Sequence, residues 1–113
     1  MKMDFSKMNG KIMAVVQDDK TKEVLMVGVM NKKALEKTLE TSKVTFWSRT
    51  RRKLWTKGET SGNWLIAKKI LVDCDEDTVL IMAKPQGPTC HTGDRTCFLD
   101  KGIERILTKE IYE

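Results

Sequence analysis

The spacing of apolar and polar positions changes several times along the chain. Ile12–Gln17 and Val24–Met30 are short β-branched, apolar runs separated by Asp18-Asp19-Lys20-Thr21-Lys22, which predicts a hairpin. Asn31 stands where an N-cap belongs. Ala34, Leu35, Thr38 and Leu39 then recur on one face, predicting a helix from Lys32 to about Thr41 with its charged residues on the other face. Val44–Ser48 and Leu54–Lys57 read as two strands joined by the basic turn Arg49-Thr50-Arg51-Arg52-Lys53. Trp64–Cys74 alternates as a long strand, Thr78–Lys84 returns antiparallel after Asp75-Glu76-Asp77, and a polar loop runs from Pro85 to Cys97. In the tail, Ile103, Ile106, Leu107 and Ile111 hold helical spacing that a strand would also accommodate. The fold expected is α+β, mainly antiparallel β with one helix, in a single small domain over residues 1–113. So few strands give a thin core, which a chain of this size often completes by dimerising.

Composition narrows the class. The chain has 113 residues, 33% charged and 40% hydrophobic, as a globular domain has. Its longest apolar runs fall far short of the roughly 20 residues of a membrane span. Met1-Lys2-Met3-Asp4-Phe5 has no apolar signal region, so a soluble cytoplasmic protein is expected. Three cysteines, Cys74, Cys90 and Cys97, argue against a disulfide framework; reduced thiols of this kind are buried, catalytic or metal-bound. The net charge of +5 and pI near 9.2 call for an anionic partner, a nucleic acid or a phosphorylated small molecule. Lys43, Arg49, Arg51, Arg52, Lys53 and Lys57 follow one another with no acid among them.

Three segments carry the candidate chemistry. In Asp73-Cys74-Asp75-Glu76-Asp77, residues two apart on a strand share a face, so the three aspartates can converge while Cys74 points away. Converging carboxylates repel unless a hard cation such as Mg²⁺ lies between them; a solvated acidic turn is the plainer reading. The second segment, Gly87-Pro88-Thr89-Cys90-His91-Thr92-Gly93 through Cys97, puts two thiols and the only histidine in a glycine-punctuated loop. It suits a metal, or else two buried thiols beside a surface histidine. Three thiolates on Zn²⁺ would leave a fourth position open, as catalytic zinc requires. The third segment, Phe46 to Gly62, interleaves Trp47 and Trp55 with the cations and ends in Gly58-Glu59-Thr60-Ser61-Gly62. It can serve RNA stacking, hold one purine with its phosphates, or simply be a hairpin with core tryptophans.

Taken in order, Trp55-Thr56-Lys57-Gly58-Glu59-Thr60-Ser61-Gly62, Asp73 to Asp77 and Gly87 to Phe98 resemble the phosphoribosyl-AMP cyclohydrolase family, with further likeness at Val16-Gln17-Asp18, Val24-Leu25-Met26, Met30-Asn31 and Ala34-Leu35. The resemblance covers about Ile12 to Phe98. It implies a homodimeric cytoplasmic enzyme of histidine biosynthesis with active sites between subunits. The reaction implied is hydrolysis of the N1–C6 bond of phosphoribosyl-AMP, through attack of a zinc-bound water on C6, to give the phosphoribosylformimino-aminoimidazole carboxamide ribotide. It assigns zinc to Cys74, Cys90 and Cys97, magnesium to Asp73, Asp75 and Asp77, and general acid–base work to His91. Substrate contacts are expected from Arg49, Arg51, Arg52, Lys53, Trp55, Lys57, Glu59, Thr60 and Ser61.

This sequence departs from the family in two respects. Asn63 stands where the family commonly has histidine, leaving His91 the sole imidazole. Many members of the family are fused to a phosphoribosyl-ATP pyrophosphohydrolase domain, whereas a single, monofunctional domain is expected here. A zinc-stabilised RNA-binding module and a thiol redox sensor are the competing readings. The first predicts salt-sensitive binding and the second a metal-free reactive thiol. The hydrolase reading leads, with a phosphorylated nucleotide rather than nucleic acid as partner.

Overall fold

The computed structural model describes residues 2–98 and 106–109. Six strands and one helix follow in the order β1 (Lys11–Asp18), β2 (Val24–Asn31), α1 (Lys32–Thr41), β3 (Thr45–Ser48), β4 (Lys53–Thr56), β5 (Leu65–Val72) and β6 (Thr78–Pro85). A four-stranded sheet runs β2-β1-β6-β5, and β3 and β4 form a separate ribbon. The helix has the predicted bounds. Asn31 Oδ1 accepts from Ala34 N–H at 2.8 Å, and Ser42 at φ 64° ends it. It buries Ala34 and Thr38, whose hydroxyl accepts from Thr45 N–H at 2.9 Å. Leu39 departs from the predicted apolar face: it is 64% exposed, because the short β3–β4 ribbon covers only the stripe through Ala34 and Thr38.

Three of the four strand pairings are antiparallel, as the turns between neighbouring strands dictate; β1 and β6 are parallel. The sheet is mainly antiparallel, as expected, apart from this one parallel pairing. That pairing joins two hairpins through strands 60 residues apart, and no local turn encodes it. The long strand expected over Trp64–Cys74 stops at Val72, and the segment Asp73–Asp77 is a turn with Glu76 at φ 66°. The tail expected over Ile103–Ile111 lies largely outside the described residues.

Register divides the sheet's side chains cleanly. Ile12, Ala14 and Val16 on β1 share a face with Met26 and Met30 on β2 and Val79, Ile81 and Ala83 on β6, all buried. The helix and the ribbon cover this face. Phe46 packs directly on Gly28, where an added Cβ would fall 2.5 Å from its ring. The opposite face is apolar too. One row crosses all four strands as Val27–Val15–Leu80–Leu71, with Val27 and Leu71 about half exposed. A sheet with one wet face normally alternates apolar with polar; this one does not.

Candidate active site

The β3–β4 ribbon, the loop after it and the loop after β6 enclose a cleft of about 530 Å³. Arg51 and Trp55 come from the ribbon, Lys57, Thr60 and Ser61 from the next loop, and Cys90 and His91 from the far wall. Lys57 Nζ stands 5.6 Å above the Trp55 ring, and Trp55 packs tilted against Phe46 at 5.9 Å between centroids. Among the described residues neither Arg51 nor Lys57 has an ion-pair partner. The loop's shape rests on close backbone approach. Gly58, at φ +93°, lies where a Cβ would come within 2.6 Å of the Asn63 carbonyl carbon, and a Cβ at Gly87 would overlap Asn63 Oδ1.

The second cysteine-bearing loop is held at both ends. Gln86 N–H donates to Trp64 O, and Cys97 N–H donates to Leu25 O, both at 2.8 Å. Arg95 pairs with Glu23 at 2.9 Å. Between these anchors the turn Cys90–Asp94 closes through two 3.0 Å backbone bonds. The Cys90 thiol is held below its ordinary value by hydrogen bonds from the Thr92 side chain and backbone, with a contribution from the Cys97 side chain. Two sulfurs therefore lie side by side, one of them biased toward thiolate, as a soft metal requires. Cys90 Sγ is 4.0 Å from His91 Nδ1. The neighbouring Thr89 hydroxyl is buried and has no hydrogen-bond partner among the described residues.

Cys74 lies elsewhere. It is exposed in the turn after β5, at the Thr78 end of β6, whereas Cys97 is bonded at Leu25, three to four registers away along the sheet. At 3.3 Å per residue that separation is at least about 10 Å, and sulfurs on one zinc sit about 4 Å apart. One chain thus brings together two of the three expected zinc ligands.

The three aspartates do converge: Asp73, Asp75 and Asp77 each offer an oxygen within 4.8 Å of the others. Strand alternation is not the cause. The turn wraps around Asp73, whose Oδ1 accepts from the N–H groups of Asp77 and Thr78 at 3.1 Å. Burial opposes ionisation of Asp73, but the bonds from Thr78, Asp75 and Asp77 outweigh it and hold the carboxyl below its ordinary value. Asp75 moves the other way. Its hydrogen bond to Asp73, desolvation and the charges of Asp73 and Asp77 raise it, outweighing the Lys7 ammonium, which lowers it.

The remaining expected contacts divide. Arg49 and Arg52 line a second groove with Trp47 and Lys11, on the other side of the ribbon. Lys53 is exposed on β4 and does not line the cleft. Glu59 Oε2 accepts from Thr56 N–H at 3.1 Å, so it closes its own loop. Sequence reasoning passed over Ser48, Thr50, Asn63 and Pro88 in the cleft wall. Only Asn63 carried a signal, as a departure from a family motif.

The family model of phosphoribosyl-AMP cyclohydrolase matches residues 26–99. The phosphoribosyl-AMP cyclohydrolase of Clostridium beijerinckii is 56% identical over 96 residues, 85% of this chain and 88% of its own length. The histidine biosynthesis bifunctional protein HisIE of Bacteroides thetaiotaomicron is 56% identical over 95% of this chain, and that of Escherichia coli 54% over 98%. The chain spans about half the length of these bifunctional relatives, 53% and 55%. A match of this extent to one family, over the segment that builds the cleft, both cysteine-bearing segments and the aspartate turn, decides the assignment: the chain belongs to the phosphoribosyl-AMP cyclohydrolase family.

Proposed function

We propose that the chain catalyses hydrolytic opening of the purine ring of phosphoribosyl-AMP at N1–C6, a step of histidine biosynthesis in the cytoplasm. The observation that carries this reading is the cleft. It sets an aromatic face and two cations that have no ion-pair partner among the described residues opposite the Cys90 thiol and the single histidine. Trp55 offers its ring to the base. Arg51 and Lys57 bind phosphate oxygens, Arg51 in the bidentate mode its guanidinium favours, and Thr60 and Ser61 add hydroxyl donors. His91 takes a proton from the attacking water and returns it to N1 as the C6–N1 bond breaks. The bond lies within the ring, so no fragment departs.

Both metals the family implies suit residues present here. Cys90 and Cys97 would hold zinc, which supplies a Lewis acid able to acidify water near neutral pH. Asp73, Asp75 and Asp77 are a hard-ligand set whose mutual repulsion a magnesium ion would relieve. Since Cys74 lies at the other end of the sheet, the third zinc ligand would be Cys74 of a second copy, and the site would form between protomers. One observation favours such a dimer: the apolar row Val27–Val15–Leu80–Leu71 on the sheet face left uncovered among the described residues. Among the described residues no helix is long and apolar enough to cross a membrane.

The test is ultraviolet absorbance of phosphoribosyl-AMP with purified protein, before and after zinc is removed by a chelator and restored. Ring opening changes the chromophore directly. A change that chelation abolishes and zinc restores is expected; no change with zinc-loaded protein overturns the reading.

A further inference from the structure

The segment before β1 lies across the aspartate turn. Asp4 N–H donates to Glu76 O at 2.6 Å, and Met3 and Phe5 pack against the core. From this segment Lys7 reaches the acidic cluster itself. Its Nζ donates to Asp75 O at 2.9 Å and stands 3.6 Å from both Asp75 Oδ2 and Asp77 Oδ2. Two of the three carboxylates offered to a hard cation therefore already face a cation belonging to the chain. Lys7 has no other acidic partner within salt-bridge distance among the described residues.

We infer that Lys7 is an internal counter-ion of the aspartate cluster, and that its ammonium and a divalent cation compete for Asp75 and Asp77. Without metal, Lys7 offsets the repulsion of three converging carboxylates and keeps the N-terminal segment docked on the turn. When a divalent ion enters, two positive centres within about 5 Å of each other repel, and the flexible lysine stem moves its head group out to water. Occupancy of the cluster is thereby coupled to release of Lys7. This rests on the reading that the aspartates take a divalent cation, and the experiment separates the two.

Mn²⁺ is titrated into the purified protein while the electron paramagnetic resonance signal of free Mn²⁺ is read, for wild type, Lys7→Gln, Lys7→Arg and Asp75→Asn. Competition predicts that Lys7→Gln binds Mn²⁺ about tenfold more tightly than wild type, the order expected for removing one charge near a divalent ion. It also predicts that Lys7→Arg stays near wild type and that Asp75→Asn weakens binding. Equal or weaker binding by Lys7→Gln, with wild-type binding that Asp75→Asn still weakens, overturns the competition and leaves the metal site standing. No Mn²⁺ binding by either wild type or Lys7→Gln overturns both.

Discussion

At the scale of single residues, holding a metal and moving a proton are proposed to fall to different side chains. Cys90→Ser or Cys97→Ser removes a sulfur from the pair, so zinc content by elemental analysis and turnover should fall together. His91→Ala touches no sulfur. It should keep its zinc and lose about 10²-fold or more in turnover, the usual contribution of a general acid–base group. Equal zinc loss in His91→Ala would contradict the division of roles. The aspartates carry a pH signature. A cation binds the ionised form, and Asp75 is held above its ordinary 3.8 while Asp73 is held below. On acidification Asp75 protonates first, so Mn²⁺ affinity should begin to fall at a pH where an isolated aspartate is still ionised. A titration flat down to about pH 4 would contradict this. Residue spacing brought out this trio and the two loop cysteines only as candidates, beside a solvated acidic turn and two buried thiols as plainer readings; the family resemblance gave them their metals. Spacing misjudged how the trio converges, because a five-residue turn bonded to its own first carboxylate looks, in one dimension, like the end of a strand.

At the scale of elements, what was legible is what local chemistry dictates. The hairpin from Lys11 to Asn31, the helix and its cap, and the ribbon turn at Arg49–Lys53 each follow from side chains within a few positions. The Asn31 cap is one such local device: its single 2.8 Å bond serves an otherwise orphaned N–H. Asn31→Ala should cost about 1 kcal/mol of stability in a denaturant melt, and an unchanged midpoint would deny the cap its role. The parallel contact between β1 and β6 was illegible, since it depends on how two hairpins dock. The same holds for the division of the basic turn. Arg51 faces the cleft while Arg49 and Arg52 line the groove behind it, and a run of cations carries no mark of which side each will take.

At the scale of the whole molecule, a sheet apolar on both faces and a proposed ligand set split between its two ends support the same proposal, that the working unit is a pair. Leu71, half exposed on the edge strand β5, belongs to the uncovered row. Leu71→Lys should shift the protein from dimer to monomer in sedimentation and lose zinc with it; a Leu71→Lys protein that stays dimeric would place the interface elsewhere. The thin core already suggested dimerisation at the level of sequence. The face proposed to pair emerges only from the register that lines up Val27, Val15, Leu80 and Leu71.

The most direct test of the shared site is subunit complementation. Cys74→Ser and Cys90→Ser proteins, each inactive alone, are mixed in equal amounts, allowed to exchange subunits with zinc present, and assayed on phosphoribosyl-AMP. A mixed dimer holds one intact site, formed by Cys90 and Cys97 of the first variant with Cys74 of the second. Random pairing should therefore restore about a quarter of the wild-type rate. A mixture that stays inactive after exchange has been verified would contradict a site built from two copies of this chain.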